Sequence, residues 1–240
     1  MASGVYPRLD PAVSLAEIAR LAARVKESAR RARRRPAADV LADVLGRAEG
    51  FGGAVVDYDD PEMSHLNRVL ARRRGLPILL SVLWIEVARA AGIPARPLPF
   101  PGHFVVLVDD VIVDPYRGGR RLDPPEVLAL FEANAGGSGT LERAATPRRV
   151  LLRVLANLAN AYERRGDGRR LDAVLSDQLA LFPADPILLA RRGVARARFD
   201  DRRGALRDLN KALRELPPGP EFERARTTAA ALVRSHPSVN

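Results

Sequence analysis

The segment from Pro77 to Ala91, PILLSVLWIEVARAA, constrains the fold of this chain more than any other. Apolar side chains occur on nearly every side of the helix that this segment would form. A helix that is apolar on all sides is buried rather than amphipathic, so we predict that it lies at the centre of a domain. Pro77 suits the first helical turn, where its missing N–H costs no hydrogen bond, and Gly92 is the expected stop.

Two helices before this segment are predicted from their capping residues. Ser14 with Glu17 fits a capping box at the start of the first helix, which stops before Pro36. Ser64 is the expected cap of a later helix, Leu66–Arg73. This part of the chain is therefore predicted to be mainly helical.

A β-hairpin follows the buried helix. The strands are predicted to be His103–Val108 and Val111–Asp114, joined by a two-residue turn at Asp109–Asp110. If the residues on either side of the turn face each other, alternation decides which side chains share a face. That face would contain His103, Val105, Leu107, Ile112, Asp114 and Tyr116. His103 and Asp114 would then be diagonal neighbours, about 7–8 Å apart at the backbone and within side-chain reach.

From Val150 onward the pattern is helical and repeats every 34 residues. The equivalent pairs are Ala159 with Gly193, Leu175 with Leu209, and Pro183 with Pro217. Paired helices at this period indicate tetratricopeptide repeats, with a last helix, Glu221–Val233, as a cap. The chain is thus predicted to have two domains, 1–146 and 147–240.

The chain is strongly basic, with 39 Lys and Arg residues against 29 Asp and Glu residues and a formal net charge of +10. Nearly all of the basic residues are arginine, and the lysines are Lys26 and Lys211. Aromatic residues make up only 5% of the chain, so stacking platforms for bases are scarce. Nucleic-acid binding is therefore an alternative and not the main expectation.

Several kinds of site and location are excluded or disfavoured by composition. The chain has no cysteine, which removes disulfides, thiolate chemistry and Cys-type zinc sites. His65 and His236 are not at ligand spacing, and the acidic loop Asp57–Glu62 is predicted to be a solvated surface, so we expect no metal or other cofactor. No apolar run is long enough to span a membrane. We expect a cytoplasmic protein that is monomeric or only weakly associated.

Four motifs together carry a family resemblance. They are FGGAVVDYDDPEMSHLNRVLARRRGLPILLS, GIPARPLPFPGHFVV, VDPYRGGRRL and RRGVARARFDDRRGALRDL. With these motifs the chain resembles bacterial transglutaminase-like proteins that carry a tetratricopeptide tail, the invasion-gene regulators of the SirB-one type. The resemblance implies an α+β, papain-like domain with a helical N-terminal extension, a buried central helix and an antiparallel hairpin, followed by an all-α tail.

The same resemblance implies positions for a catalytic triad of Cys, His and Asp. The His position is His103, the Asp position is Asp114, and the Cys position is occupied by Pro77. Proline has no nucleophilic atom, so cysteine-type acyl transfer is excluded. Ser81 lies one helical turn later and is the alternative nucleophile, although a serine there commonly bonds the backbone carbonyl one turn back.

Arginines flank the triad positions and could bind an anionic group. Arg72, Arg73 and Arg74 precede the buried helix, and Arg117, Arg120 and Arg121 follow the hairpin. We predict Arg74, His103, Asp114 and Arg117 as ligand-binding residues.

The expected function is that of a non-catalytic module that binds a protein or peptide partner and acts in regulation. The alternatives are a hydrolase or acyltransferase that uses Ser81 with His103 and Asp114, and an arginine-rich nucleic-acid binder.

Overall fold

The computed structural model describes residues 9–53, 60–100, 103–134 and 146–235. The chain divides into two units, Met1–Val150 and Leu151–Asn240. In the described part of the chain, no helix is both long and apolar enough to cross a membrane.

The first unit combines helices with short strands. Its α-helices are α1 (Pro11–Arg31), α2 (Ala37–Leu41), α3 (Leu66–Arg72), α4 (Pro77–Ala91) and α5 (Pro124–Asn134). A π-helical segment, Ala42–Ala48, continues α2, and short 3-10 turns cover Pro61–Ser64 and Pro115–Arg117. The strands are β1 (Gly52–Gly53), β2 (Arg74–Gly75), β3 (Ala95–Phe100), β4 (His103–Val108), β5 (Val111–Asp114) and β6 (Arg120–Arg121).

Helix α4 is the buried central helix that its composition predicts. Leu80, Leu83 and Trp84 are fully buried, and the helix packs against α1 and against β3 and β4. Gly92 ends α4 in the left-handed conformation at φ 81°, which glycine adopts without steric cost.

The antiparallel sheet β3–β4–β5–β6 has the predicted hairpin at its centre. Val108 pairs with Val111 and Leu107 with Ile112, which is the register expected from a two-residue turn at Asp109–Asp110. One sheet face supports α5 through a cluster of Phe100, Val105 and Leu122, with Leu98, Ile112, Val127 and Leu130 packed against it. The parallel pair β1–β2 leads directly into α4, with Gly52 opposite Arg74 and Gly53 opposite Gly75.

Both predicted helix caps are wrong. Helix α1 begins at Pro11, and Asp10 is its N-cap, with a side chain that accepts a hydrogen bond from the amide of Ala12. Asp10 is the N-cap in preference to Ser14 because the proline that follows it has the backbone φ of the first helical turn. Ser14 therefore lies inside the helix. Ser64 closes the 3-10 turn, and the N-cap of α3 is His65, which makes no side-chain cap hydrogen bond.

Glu17 belongs to an ion-pair cluster rather than to a capping box. It accepts hydrogen bonds from Arg20 at 2.8 Å and from Arg73 at 2.8 Å. The hydrogen bond from Arg20, together with the contact of Arg73, holds the pKa of Glu17 at about 2. Burial raises the pKa of the neighbouring Glu49, but hydrogen bonding and charge from Arg20 and the charges of Arg24 and Arg73 outweigh burial and lower it. The cluster therefore joins α1 to the segments that precede β1 and β2.

Because the pKa of Glu17 is lower in the folded protein than its ordinary value of 4.5, its contribution to stability is present above about pH 4.5 and is lost toward pH 2. We expect the free energy of unfolding to fall less steeply over this range in Glu17→Gln than in the wild type. Urea unfolding at a series of pH values measures the slopes. Glu27→Gln, an exposed change on the same helix, is the control, and equal slopes for all three proteins would contradict the prediction.

The described residues of the second unit form helices joined by short turns. Its helices are α6 (Pro147–Arg164), α7 (Gly168–Leu181), α8 (Pro186–Ala197), α9 (Arg202–Ala212) and α10 (Pro220–Arg234). One apolar core, including Leu158, Leu175 and Leu209, joins them. A Cβ added to Gly193 would lie 2.6 Å from Cγ of Leu209. Glycine at this position therefore allows α8 and α9 to approach closely.

Candidate functional site

His103 and Asp114 form a hydrogen-bonded pair across the hairpin. Nε2 of His103 lies 3.0 Å from Oδ2 of Asp114. Asp114 is fully buried, and its Oδ1 accepts the amide of Tyr116 at 2.9 Å. The sequence explains this arrangement locally, because Asp114 ends β5 and caps the 3-10 turn that begins at Pro115. The carboxylate is thus held in place by the turn that follows it.

The pair orients the imidazole of His103. A carboxylate that accepts from Nε2 fixes Nε2–H as the donor and leaves the lone pair of the neutral ring on Nδ1. The His103 side chain is only 15% exposed, and Asp114 is inaccessible. Any ligand that reaches this pair therefore meets the imidazole rather than the carboxylate.

Neither Pro77, at the Cys position, nor Ser81, the alternative, is arranged as a nucleophile. Pro77 is buried at the start of α4. Ser81 is fully buried, and its hydroxyl donates to the carbonyl oxygen of Phe104 at 3.1 Å. The expected bond to the carbonyl one turn back is therefore wrong.

Tyr116 also belongs to the site, although it was not among the ligand-binding residues predicted from the sequence. Its ring meets the ring of His103 edge-on, with centroids 6.2 Å apart. A Cβ placed on Gly53 would lie only 2.4 Å from atoms of the Tyr116 ring. The ring therefore packs directly on the backbone of Gly53, and any larger residue there would displace the ring. The strand alternation that put Tyr116 beside His103 was the available signal.

Arg74 lies close to this aromatic contact. Its Nη1 donates to the carbonyl oxygens of Gly50 and Arg73. A Cβ added to Gly52 would lie 3.8 Å from Nη1 of Arg74 and 3.8 Å from the carbonyl oxygen of Tyr116. Arg74 and the backbone of Tyr116 therefore lie on the same side of Gly52. Among the described residues no carboxylate forms an ion pair with Arg74, so its charge is available.

Arg117 lies on the other side of the same turn. Its Nε is 3.7 Å from Oδ2 of Asp114, and its side chain is 53% exposed. This distance is long for a hydrogen bond and Asp114 is already engaged by His103. Arg117 therefore keeps donors that can reach a ligand.

The other arginines expected to bind an anion are neutralised by carboxylates of the chain itself. The pairs are Arg72 with Asp60 and Glu62, Arg73 with Glu17 and Glu49, Arg120 with Glu126, and Arg121 with Asp39. The acidic loop is consequently not a purely solvated surface at Asp60 and Glu62, and its residues 57–59 lie outside the described residues. Within the described ranges, no three His, Asp or Glu side chains are grouped closely enough to hold a metal ion.

Comparison with known families identifies the superfamily of the chain. The model of the transglutaminase-like superfamily matches residues 13–156, which is more than half of the chain. The chain therefore belongs to the transglutaminase-like superfamily. No solved structure matches it.

Within the superfamily, the chain is similar to bacterial proteins named UPF0162. It is 39% identical over 179 residues to one from Xylella fastidiosa, covering 70% of this chain and 64% of that protein. It is 30% identical over 220 residues to one from Pseudomonas aeruginosa, covering 86% of this chain and 78% of that protein. F-box only protein 21 of Mus musculus is 29% identical over 158 residues, which cover 61% of this chain and 25% of that protein.

Proposed function

We propose that this protein is a non-catalytic binding module that holds a protein or peptide partner beside His103 and Asp114. The observation that carries the proposal is the buried hydroxyl of Ser81, which donates to the carbonyl oxygen of Phe104. A nucleophile must hydrogen-bond its base, whereas this hydroxyl is used to join α4 to β4. Pro77 supplies no reactive atom. The oriented imidazole can then bind a ligand without turning it over.

Arg74 and Arg117 support a ligand that carries an acidic group. Both guanidinium groups lie near Tyr116, and in the described residues neither has a carboxylate within hydrogen-bond distance. Arginine binds carboxylates through paired N–H donors, which gives directional recognition as well as charge attraction. An acidic peptide side chain or a terminal carboxylate would meet these donors next to the imidazole of His103.

The second domain, residues 147–240, is proposed to be a tetratricopeptide tail that contributes to partner binding. The 34-residue period and the short-looped helices α6–α10 support this assignment. The resemblance to SirB-one-type regulators supports a regulatory role.

A peptide-selection experiment tests the binding proposal. The purified full chain is immobilised and probed with a phage-displayed library of random peptides. We expect enrichment of peptides that contain Asp, Glu or a free terminal carboxylate, and loss of that enrichment in His103→Ala and in the double variant Arg74→Ala/Arg117→Ala. Arg89→Ala, which removes an exposed arginine from α4, should select the same peptides as the wild type.

Two outcomes would contradict the proposal. One is enrichment that is unchanged when His103, Arg74 and Arg117 are replaced in variants that unfold at the wild-type temperature. The other is covalent labelling of the wild type by a fluorophosphonate probe that disappears in both Ser81→Ala and His103→Ala. The second result would favour the hydrolase alternative, in which Ser81 acts as a nucleophile.

A further inference from the structure

A cavity lies in the C-terminal unit, between α7, α8 and α9. Its volume is about 430 Å³. The apolar lining residues include Leu179 and Leu189, and the polar lining residues are Ser176, Arg192, Arg207, Asp208 and Lys211. The lining thus combines apolar and basic side chains.

The carboxylate in this cavity is already saturated. Arg192 binds Asp208 through two hydrogen bonds, at 2.7 and 3.0 Å. Arg196 donates a third to Asp208 at 3.1 Å. Nη1 of Arg192 also donates to the hydroxyl oxygen of Ser176 at 3.1 Å. The guanidinium of Arg192 is therefore held in a fixed orientation, and Asp208 has little capacity to neutralise further cations.

Arg207 and Lys211 are the cations that Asp208 does not neutralise. They are exposed residues on the same face of α9, four positions apart, and like charges at this spacing repel each other. In the described part of the chain neither has a carboxylate within ion-pair distance. Lys211 is also one of only two lysines in the chain, and a lysine presents its charge as a compact point with three donors.

We propose that this cavity binds a phosphate monoester group. Three cations and one carboxylate line it, so the lining carries an excess of two positive charges. A phosphate monoester near neutral pH has a charge of about −1.5 to −2 and three strong acceptor oxygens. Arg207 and Lys211 supply donors that are not otherwise used, and the hydroxyl of Ser176 supplies another. The apolar lining residues suit the carbon skeleton that carries the phosphate.

Isothermal titration of the full chain with phenyl phosphate tests this site. We expect saturable binding in the wild type and an affinity about tenfold lower in Arg207→Gln and in Lys211→Gln, because hydrogen bonds to charged groups are strong. Arg203→Gln, an exposed change on the same helix outside the cavity lining, should bind as the wild type does. A rise in melting temperature with phenyl phosphate, present in the wild type and absent in Lys211→Gln, gives a second readout.

Further titrations separate the sources of the phosphate. Inorganic phosphate and a short peptide with one phosphoserine distinguish a free anion from a modified protein. Preference for a DNA duplex, or equal affinities of the wild type, Arg207→Gln and Lys211→Gln for phenyl phosphate, would overturn the proposal. The cavity shares no lining residue with the proposed peptide site, so His103→Ala is expected to leave phenyl phosphate binding unchanged.

Discussion

Gly46→Ala is expected to lower the free energy of unfolding by about 3 kcal/mol, because the added methyl group would overlap backbone atoms. A Cβ on Gly46 would lie 1.9 Å from the carbonyl oxygen of Gly118 and 2.7 Å from its carbonyl carbon. Backbone atoms cannot rotate away as the end of a side chain can. Helix propensity alone predicts the opposite sign, since alanine is favoured over glycine by about 1 kcal/mol inside a helix.

Urea unfolding of Gly46→Ala measures this effect, and a glycine only six residues away provides the control. A Cβ on Gly52 would have its nearest neighbours at 3.8 Å, an ordinary van der Waals distance. We expect Gly52→Ala to change the free energy of unfolding by less than about 0.5 kcal/mol. A free energy of unfolding for Gly46→Ala as close to the wild-type value as that of Gly52→Ala would contradict the close approach of Gly46 to Gly118.

Asp114→Ala is expected to cost about 3 kcal/mol of folding free energy. The change removes a fully buried carboxylate that accepts from the amide of Tyr116 and from Nε2 of His103. Breaking a buried pair on one side leaves the remaining partner desolvated without its acceptor, which is costly. The imidazole of His103 would also lose the group that fixes its tautomer.

Two measurements separate these effects. Urea unfolding gives the free energy, and the ¹H–¹⁵N spectrum of the His103 imidazole reports which ring nitrogen carries the proton. Asp114→Asn keeps an acceptor oxygen for the amide of Tyr116, so we expect it to be less destabilising than Asp114→Ala. Wild-type stability and an unchanged imidazole spectrum in Asp114→Ala would show that the pair neither stabilises the turn nor orients the ring.

Local physical chemistry was sufficient to predict the central helix and the hairpin. The apolar character of α4 on all sides requires burial, wherever the rest of the chain lies. The hairpin register follows from a two-residue turn and strict side-chain alternation, and it brings His103 beside Asp114. These features depend on residues that are close in sequence, and for this reason they could be predicted.

The start of α1 shows the limit of such local reasoning. Ser14 with Glu17 satisfies the capping pattern, but Asp10 followed by Pro11 satisfies a stronger one four residues earlier. Glu17 was then free to pair with Arg73, 56 residues away in the chain. A local motif could not reveal this partner, because the pairing depends on how α1 packs.

The amino-acid sequence by itself determined the buried helix, the hairpin and the absence of a cysteine nucleophile. Only the tertiary structure decided that Ser81 donates to the carbonyl oxygen of Phe104. It also decided that Arg117 approaches Asp114 only to 3.7 Å, whereas Arg72, Arg73, Arg120 and Arg121 form closer ion pairs with carboxylates. Arg121, for example, pairs with Asp39, 82 residues away. Hydrogen bonds and ion pairs require atoms within a few ångströms, and for residues far apart in the chain that proximity is set by packing and not by spacing.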